Sequence, residues 1–297
     1  MKYSYYPGCS LEGTALDYDQ SIRKICRILD VELIEIPDWN CCGASSAHMT
    51  DHEIGMRLPM RNLLLAADAN HDILVPCAAC FQRLKAADKT LRENPAYWDV
   101  KEYAPAYKII HISTFLAQPE ILALIKEKVS HNLQELGIAC YYGCLSLRNP
   151  RVTNAINWEM PDTMEQIVAA IGAKPVSWSH RTECCSGSLT MARPDIARKL
   201  VGDIVTAAKK AGAGAMVTDC PMCQANVESR QAPDGARGAE LPVFFITELI
   251  AAALSGTYSA KQQKVHLVSP VVLSRVIDNA AIPANSASAA IGKEDSV

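Results

Sequence analysis

Apolar and polar positions along this chain alternate in short runs, give way to helical spacing, and then alternate again in a fixed order. The opening run, KYSYYPGC (Lys2–Cys9), alternates and then meets glycine and cysteine, which predicts a strand entering a tight turn. Over Leu16–Leu29 the apolar residues take helical spacing, with Ile22, Ile25, Ile28 and Leu29 on one face. VELIEIP (Val31–Pro37) returns to a strand and Gly55–Ala69 to a longer helix. DILVPC (Asp72–Cys77) is then an apolar strand running straight into a Cys-x-x-Cys motif.

The second half of the chain repeats this order. IACYYGC (Ile138–Cys144) matches the opening strand and turn, Thr163–Ile171 the first helix and AKPVSW (Ala173–Trp178) the second strand. Pro194–Ala211 matches the longer helix, and AMVTDC (Ala215–Cys220) the strand before Cys-x-x-Cys. The closing segments agree as well, IHISTFLA at Ile110–Ala117 with FFITELIA at Phe244–Ala251. Such self-similarity marks a tandem duplication whose halves share a fold. Alternating strands and helices predict an α/β class with a mainly parallel sheet in each half and right-handed crossovers. We divide the chain into residues 1–132, 133–256 and an extension, 257–297, each half being large enough to bury its own core. Within the extension, Lys264–Leu273 (KVHLVSPVVL) reads as a docked strand or a partner contact. The small, polar stretch from Ala280 onward reads as a disordered tail.

Composition narrows the function. About half the residues are apolar, a fifth are charged and the net charge is −3, which favours neither a nucleic-acid partner nor an anionic membrane surface. The first residues lack the apolar core of an export signal, and FFITELIAAAL is too short for a membrane span and contains Glu248. The reading is therefore cytoplasmic. Twelve cysteines then call for an explanation, because a disulfide scaffold belongs to much shorter secreted domains. Metal binding fits better.

Ten of the twelve fall in two registers. Cys9 is followed after 31 residues by Cys41–Cys42 and after 34 more by Cys77 and Cys80; Cys144 is followed after 39 residues by Cys184–Cys185 and after 34 by Cys220 and Cys223. Each group lies just beyond the carboxyl ends of successive predicted strands, the edge where open α/β sheets place ligands. Helix N-termini there favour thiolates and anionic clusters. Structural zinc and a cubane cluster each take four ligands, whereas each half supplies five. The side chains of an adjacent pair tend to point apart, so Cys41 and Cys42 reach different metals of one cluster more naturally than a single ion. An ordinary four-ligand site with a spare cysteine is the alternative. Cys26 and Cys140 read as buried free thiols. His48, His52 and His180 flank the cysteine pairs but read as solvated or structural, and Trp39 and Trp178 as packing beside the sites. Neither a dinucleotide-binding glycine loop nor a ferredoxin-type cysteine run is present, so electrons must pass through other subunits.

These two registers resemble the cysteine-rich CCG domain, and two complete copies resemble the B component of heterodisulfide reductases over roughly residues 1–252. The resemblance implies two similar Rossmann-like repeats related by a pseudo-twofold axis, each holding a non-cubane [4Fe–4S] cluster. One would sit on Cys9, Cys41, Cys42, Cys77 and Cys80, the other on Cys144, Cys184, Cys185, Cys220 and Cys223. It implies an oxidoreductase acting on sulfur groups, with a disulfide lodged between the two facing clusters. A flavin-containing A subunit and a ferredoxin-like C subunit would supply electrons, and the substrate would be a small thiol or disulfide or carrier-bound sulfur. An alanine-rich, lysine-poor composition leans toward the heterodisulfide-reductase-like complexes of bacterial dissimilatory sulfur metabolism. The alternatives are reduction of the coenzyme M–coenzyme B heterodisulfide in methanogenesis and a non-catalytic electron relay like that of glycolate and lactate oxidising complexes. The motif's glycine follows the first pair as Gly43, but the second reads Cys184-Cys185-Ser186-Gly187. This displacement is expected to change the turn without removing a ligand, zinc at that site being the weaker outcome.

Overall fold

A computed structural model describes residues 1–231 and 240–279. The expected tail from Ala280 lies outside the described residues. The first half runs β1 (Lys2–Tyr5), α1 (Leu16–Ile28), β2 (Glu32–Glu35), α2 (Ala47–Thr50), α3 (His52–Ala67), β3 (Ile73–Val75) and α4 (Ala78–Glu93). It closes with β4 (Ile109–His111), α5 (Ile112–Leu116) and α6 (Pro119–Lys128). The second half runs β5 (Gly137–Cys140), α7 (Pro150–Thr153), α8 (Thr163–Ala170), β6 (Lys174–Pro175), α9 (Pro194–Lys210), β7 (Ala215–Thr218) and α10 (Pro221–Ser229). Then come β8 (Val243–Phe245), α11 (Ile246–Ser255), α12 (Ala260–Gln263) and α13 (Val271–Asn279).

Each half forms a four-stranded parallel sheet, in the orders β2-β1-β3-β4 and β6-β5-β7-β8. The two orders are the same, and in each the first strand lies inside the sheet, so the chain reverses direction of winding between β1 and β3 and between β5 and β7. That switch point opens a crevice at the carboxyl ends of the strands. Cys9 and Cys77 follow the two strands that flank it, as Cys144 and Cys220 do in the second half.

The apolar core is not divided between the halves as the sequence suggested. Tyr18, Ile22 and Phe115 share one buried cluster with Phe245, Leu249 and Met164, while Met60, Phe81 and Leu84 share another with Tyr141, Val201 and Met216. Helix α1 packs on α11 and α5 on α8, which are the same two contacts with the halves exchanged. An isologous interface of this kind is what a twofold axis produces. The tandem repeat thus folds as two sheets around joint cores.

Lys264–Leu273 is not a strand. It is an irregular stretch leading into α13, whose Leu273 and Ile277 are buried. Before α13, the His266 side chain is 1% exposed and bridges Glu228 (3.0 Å) and Glu248 (3.2 Å), so the extension is pinned to the second half. Among the described residues no helix is long and apolar enough to cross a membrane.

Candidate metal centres

Two turns and two helix starts position the cysteines. After β1, Gly8 takes φ +73°, and a Cβ there would lie 2.9 Å from Cys80 Sγ; after β5, Gly143 takes φ +65°, with Cys223 Sγ 2.8 Å from the same point. Only glycine lets the backbone pass this close to the sulfur. Cys77 and Cys220 are the N-cap residues of α4 and α10, so Cys80 and Cys223 stand in the first turn of each. The partial positive charge there favours thiolate.

The adjacent pairs are held from below by tyrosine. The Tyr6 hydroxyl donates to the carbonyl of Asn40 (2.8 Å) and the Tyr141 hydroxyl to that of Glu183 (2.7 Å), the residues just before Cys41 and Cys184. Tyr6 and Tyr141 are buried beside Trp39 and Trp178, with ring centroids 5.4 and 6.3 Å apart. The expected change in the second turn does not occur. Ser186 takes φ +62° where Gly43 takes +74°. Its amide approaches Cys184 Sγ at 3.2 Å as that of Gly43 approaches Cys41 Sγ at 3.5 Å. The buried fold enforces the left-handed backbone without the glycine.

The sulfurs gather in the same pattern twice. Cys9 and Cys41 are 3.8 Å apart and Cys42 and Cys80 3.3 Å; Cys144 and Cys184 are 3.7 Å apart and Cys185 and Cys223 3.9 Å. All twelve cysteines are free thiols. The separations far exceed a disulfide bond of about 2.05 Å. They approach the roughly 3.8 Å that separates two thiolates on one tetrahedral metal with bonds of about 2.3 Å. Among the described residues no three His, Cys, Asp or Glu side chains converge as a single-ion site. The donor set is all sulfur and is spread wider than one ion requires, which fits a polynuclear centre.

Each constellation has an outer and an inner end. Cys9 and Cys184 are exposed and Cys41 and Cys144 partly so, and a surface cavity of about 480 Å³ opens onto Cys9 and Cys41. Cys77 and Cys220 are buried at the inner ends, where each half's constellation turns toward the other. Hydrogen bonding with Cys41 and Cys80 pushes the Cys42 thiol down to about 3, and that with Cys144 brings Cys184 to about 6. Cys220 is also lowered, first by Cys223 and then by Cys77. Each half therefore carries sulfur poised as thiolate, the form that binds metal.

Sequence reasoning missed the residues at the inner junction. Tyr18, fully buried, donates to the carbonyls of Pro76 (3.3 Å) and Asp219 (3.1 Å), tying together the residues before Cys77 and Cys220. Its ring stacks on Phe245 at 3.9 Å. His111, at the end of β4, places Nδ1 3.3 Å from the Asp219 carboxylate. His111 and Asp219 do not recur in the other half, where Phe245 and Pro76 take their places, so the repeat gives no signal for them. Cys26 and Cys140 are buried away from both sites, and burial pushes both thiols up, Cys26 to about 12. His48 lies against the carbonyl of Gly43 at 3.4 Å, His180 against Ser179 at 2.8 Å, and His52 is exposed at the start of α3.

The doubled parallel sheet with two five-sulfur constellations defines a duplicated cysteine-rich protein, and comparison with known proteins agrees. The cysteine-rich CCG domain matches residues 3–85 and 138–228, and the chain belongs to that family with two copies of the domain. It is 31% identical to the 8-methylmenaquinol:fumarate reductase membrane anchor subunit of Wolinella succinogenes, over 85% of this chain and 92% of that one. It is 24% identical to the B component of the ferredoxin:CoB-CoM heterodisulfide reductase of Methanosarcina mazei, over 85% and 89% respectively. A crystal structure of a hypothetical protein from Helicobacter pylori has the same fold at 10% identity and a TM-score of 0.61, over 89% of this chain. The chain spans about half, 51%, of that solved protein.

Proposed function

We propose that this chain is the iron–sulfur subunit of a heterodisulfide-reductase-like complex that exchanges electrons with a thiol or disulfide, in dissimilatory sulfur metabolism. The observation that carries the reading is the closed inner junction, where buried Cys77 and Cys220 follow two residues whose carbonyls share the Tyr18 hydroxyl, so that two similar five-sulfur constellations adjoin. Cleaving a disulfide consumes two electrons and two protons and yields two thiols, whereas an iron–sulfur centre ordinarily passes one electron at a time. Two adjoining centres match that demand. A [4Fe–4S] cluster in each half, held by Cys9, Cys41, Cys42, Cys77 and Cys80 and by Cys144, Cys184, Cys185, Cys220 and Cys223, would supply the one-electron steps. Five thiolates per centre favour a non-cubane form. The chain's own contribution is to hold the thiolates, exclude water from the inner junction and leave Cys9, Cys41, Cys144 and Cys184 near the surface. Substrate therefore approaches from the outer ends, because the inner junction is closed by Cys77, Cys220 and Tyr18. A flavin subunit and a ferredoxin-like subunit in the cytoplasm would complete the electron path.

Anaerobic purification with iron, zinc and sulfide counting tests the cofactor, with roughly eight irons per chain expected and zinc in their place refuting it. Reduced viologen oxidised by the complex only in the presence of a disulfide tests the reaction. The 31% identity to a quinol:fumarate reductase subunit favours a second reading, an electron relay in another oxidoreductase complex. In that case menaquinol analogues, and no thiol or disulfide, would change the oxidation state of the clusters.

A further inference from the structure

The pseudo-twofold relation exposes a difference between the halves well away from the cysteines. Glu228, Phe244 and Glu248 of the second half surround His266: the two carboxylates hold its ring nitrogens and its ring lies 5.3 Å from that of Phe244. Their counterparts in the repeat are Lys85, Ile110 and Thr114. No segment of the chain fills the corresponding space among the described residues. These three residues line a cavity of about 600 Å³, within the range of small-molecule sites.

The lining has inverted in charge relative to its filled twin. Two acids embrace a cation in the second half. In the first, Lys85 and Lys108 reach the cavity, and neither ammonium has an ion-pair partner among the described residues. The one carboxylate in the lining, Asp162, accepts from Gln166 Nε2 at 3.0 Å. Two polar groups in the lining are buried without a partner: Nε2 of His111, which is 2% exposed, and Oγ of Ser146. Nδ1 of His111 is already committed to Ser113 (3.1 Å), with the Asp219 carboxylate 3.3 Å away. A buried polar atom with no partner carries a cost that a bound acceptor or donor removes. Much of the remaining wall is apolar, with Phe81, Leu147 and Ile156.

We infer that this cavity binds a small amphiphilic anion, its apolar body against Phe81, Leu147 and Ile156 and its carboxylate or sulfonate against Lys85 and Lys108. In the second half the chain's own extension occupies the equivalent slot; in the first the slot is left to a ligand of opposite charge. No cysteine lines the cavity, so the inference stands apart from the cluster chemistry.

Calorimetric titration of the full chain, purified anaerobically, tests it with decanoate, decane-1-sulfonate, decanol and decyltrimethylammonium, each below its micellar concentration. Both anions are expected to saturate at one site, decanol to bind at least tenfold more weakly and the cation not to bind. Lys85→Met should weaken the anions about tenfold and leave decanol unchanged; Ala155→Trp, which fills the cavity, should abolish all binding. Circular dichroism identical to the parent shows that both variants fold. Equal affinity for decanol and decanoate, no saturable anion binding, or anion binding that survives both substitutions would overturn the inference.

Discussion

Removing the imidazole of His266 should destabilise the protein in a way that depends on pH, and the structure fixes the direction. The side chain is 1% exposed, between Glu228 and Glu248, themselves 3% and 1% exposed. Burial alone would lower its pKa, but the hydrogen bonds and charges of the two carboxylates win and raise it from 6.5 to about 10. A group whose folded pKa is raised contributes its stability in full below the unfolded value and loses it as pH climbs through the folded one. The window therefore runs from pH 6.5 to about 10. At about 1.4 kcal/mol per pH unit the linkage is worth on the order of 5 kcal/mol. That agrees with the cost of about 3–5 kcal/mol for breaking a buried ion pair, which is the same loss seen from the two carboxylates that His266→Gln leaves without their cation. The acids cannot both relax into water, since Glu248 also accepts from the Phe245 amide at 2.8 Å and Glu228 from Gln224 at 2.9 Å. Asp17, raised to about 6 by burial and by Glu248, titrates below the window. Any cysteine titration is common to parent and variant, so it cancels in their difference. Urea unfolding followed by circular dichroism should show a gap of several kcal/mol at pH 6 that shrinks markedly by pH 9.5. A gap of the same size at both pH values, or none at pH 6, would refute the argument.

The glycines under the sulfurs offer a second check. Gly143→Ala should displace Cys223 and empty the second centre while sparing the first, leaving roughly half the bound metal by elemental analysis, and Gly8→Ala should do the reverse. Ser186→Gly relieves a left-handed serine and should raise unfolding free energy by about 0.5–1 kcal/mol in thermal denaturation with metal content unchanged. Tyr18→Phe strips one donor from two buried carbonyls and should cost about 1–3 kcal/mol in urea unfolding.

Much of this architecture was legible because the repeat is written in local signals. A strand ending in glycine and cysteine, or an apolar run ending in Cys-x-x-Cys, announces its place in the sheet without reference to anything distant. Ser186 was misread for the complementary reason. Glycine is required for a left-handed turn only when nothing else imposes it, and here the sulfur–amide contact and the packing around Cys185 do so. His266 was invisible because its partners, Glu228 and Glu248, are acids in helices whose surfaces the sequence gives no reason to bury. The joint core was missed because each half, judged by length, had enough apolar residues to close alone. Only the reciprocal contacts of α1 with α11 and α5 with α8 reveal that neither does.

The places where the repeat is kept and where it is broken separate two demands on one scaffold. Positions that touch sulfur are held in pairs: Gly8 with Gly143, Tyr6 with Tyr141, Cys77 with Cys220. Positions one layer away have diverged in charge, Pro76 against Asp219, His111 against Phe245, and Lys85 against Glu228. The first set fixes two constellations of the same shape; the second gives them unlike surroundings. His111 and Asp219 are buried together across the halves at 3.3 Å, beside Cys220 and with no counterpart beside Cys77. Two sites alike in ligands but unlike in neighbours are chemically distinguishable, so one can differ from the other in accepting an electron, a proton or a ligand. A symmetric junction would offer no such distinction. The asymmetry around the inner junction, more than the symmetry of the cysteines, is what gives the two halves unlike chemical settings.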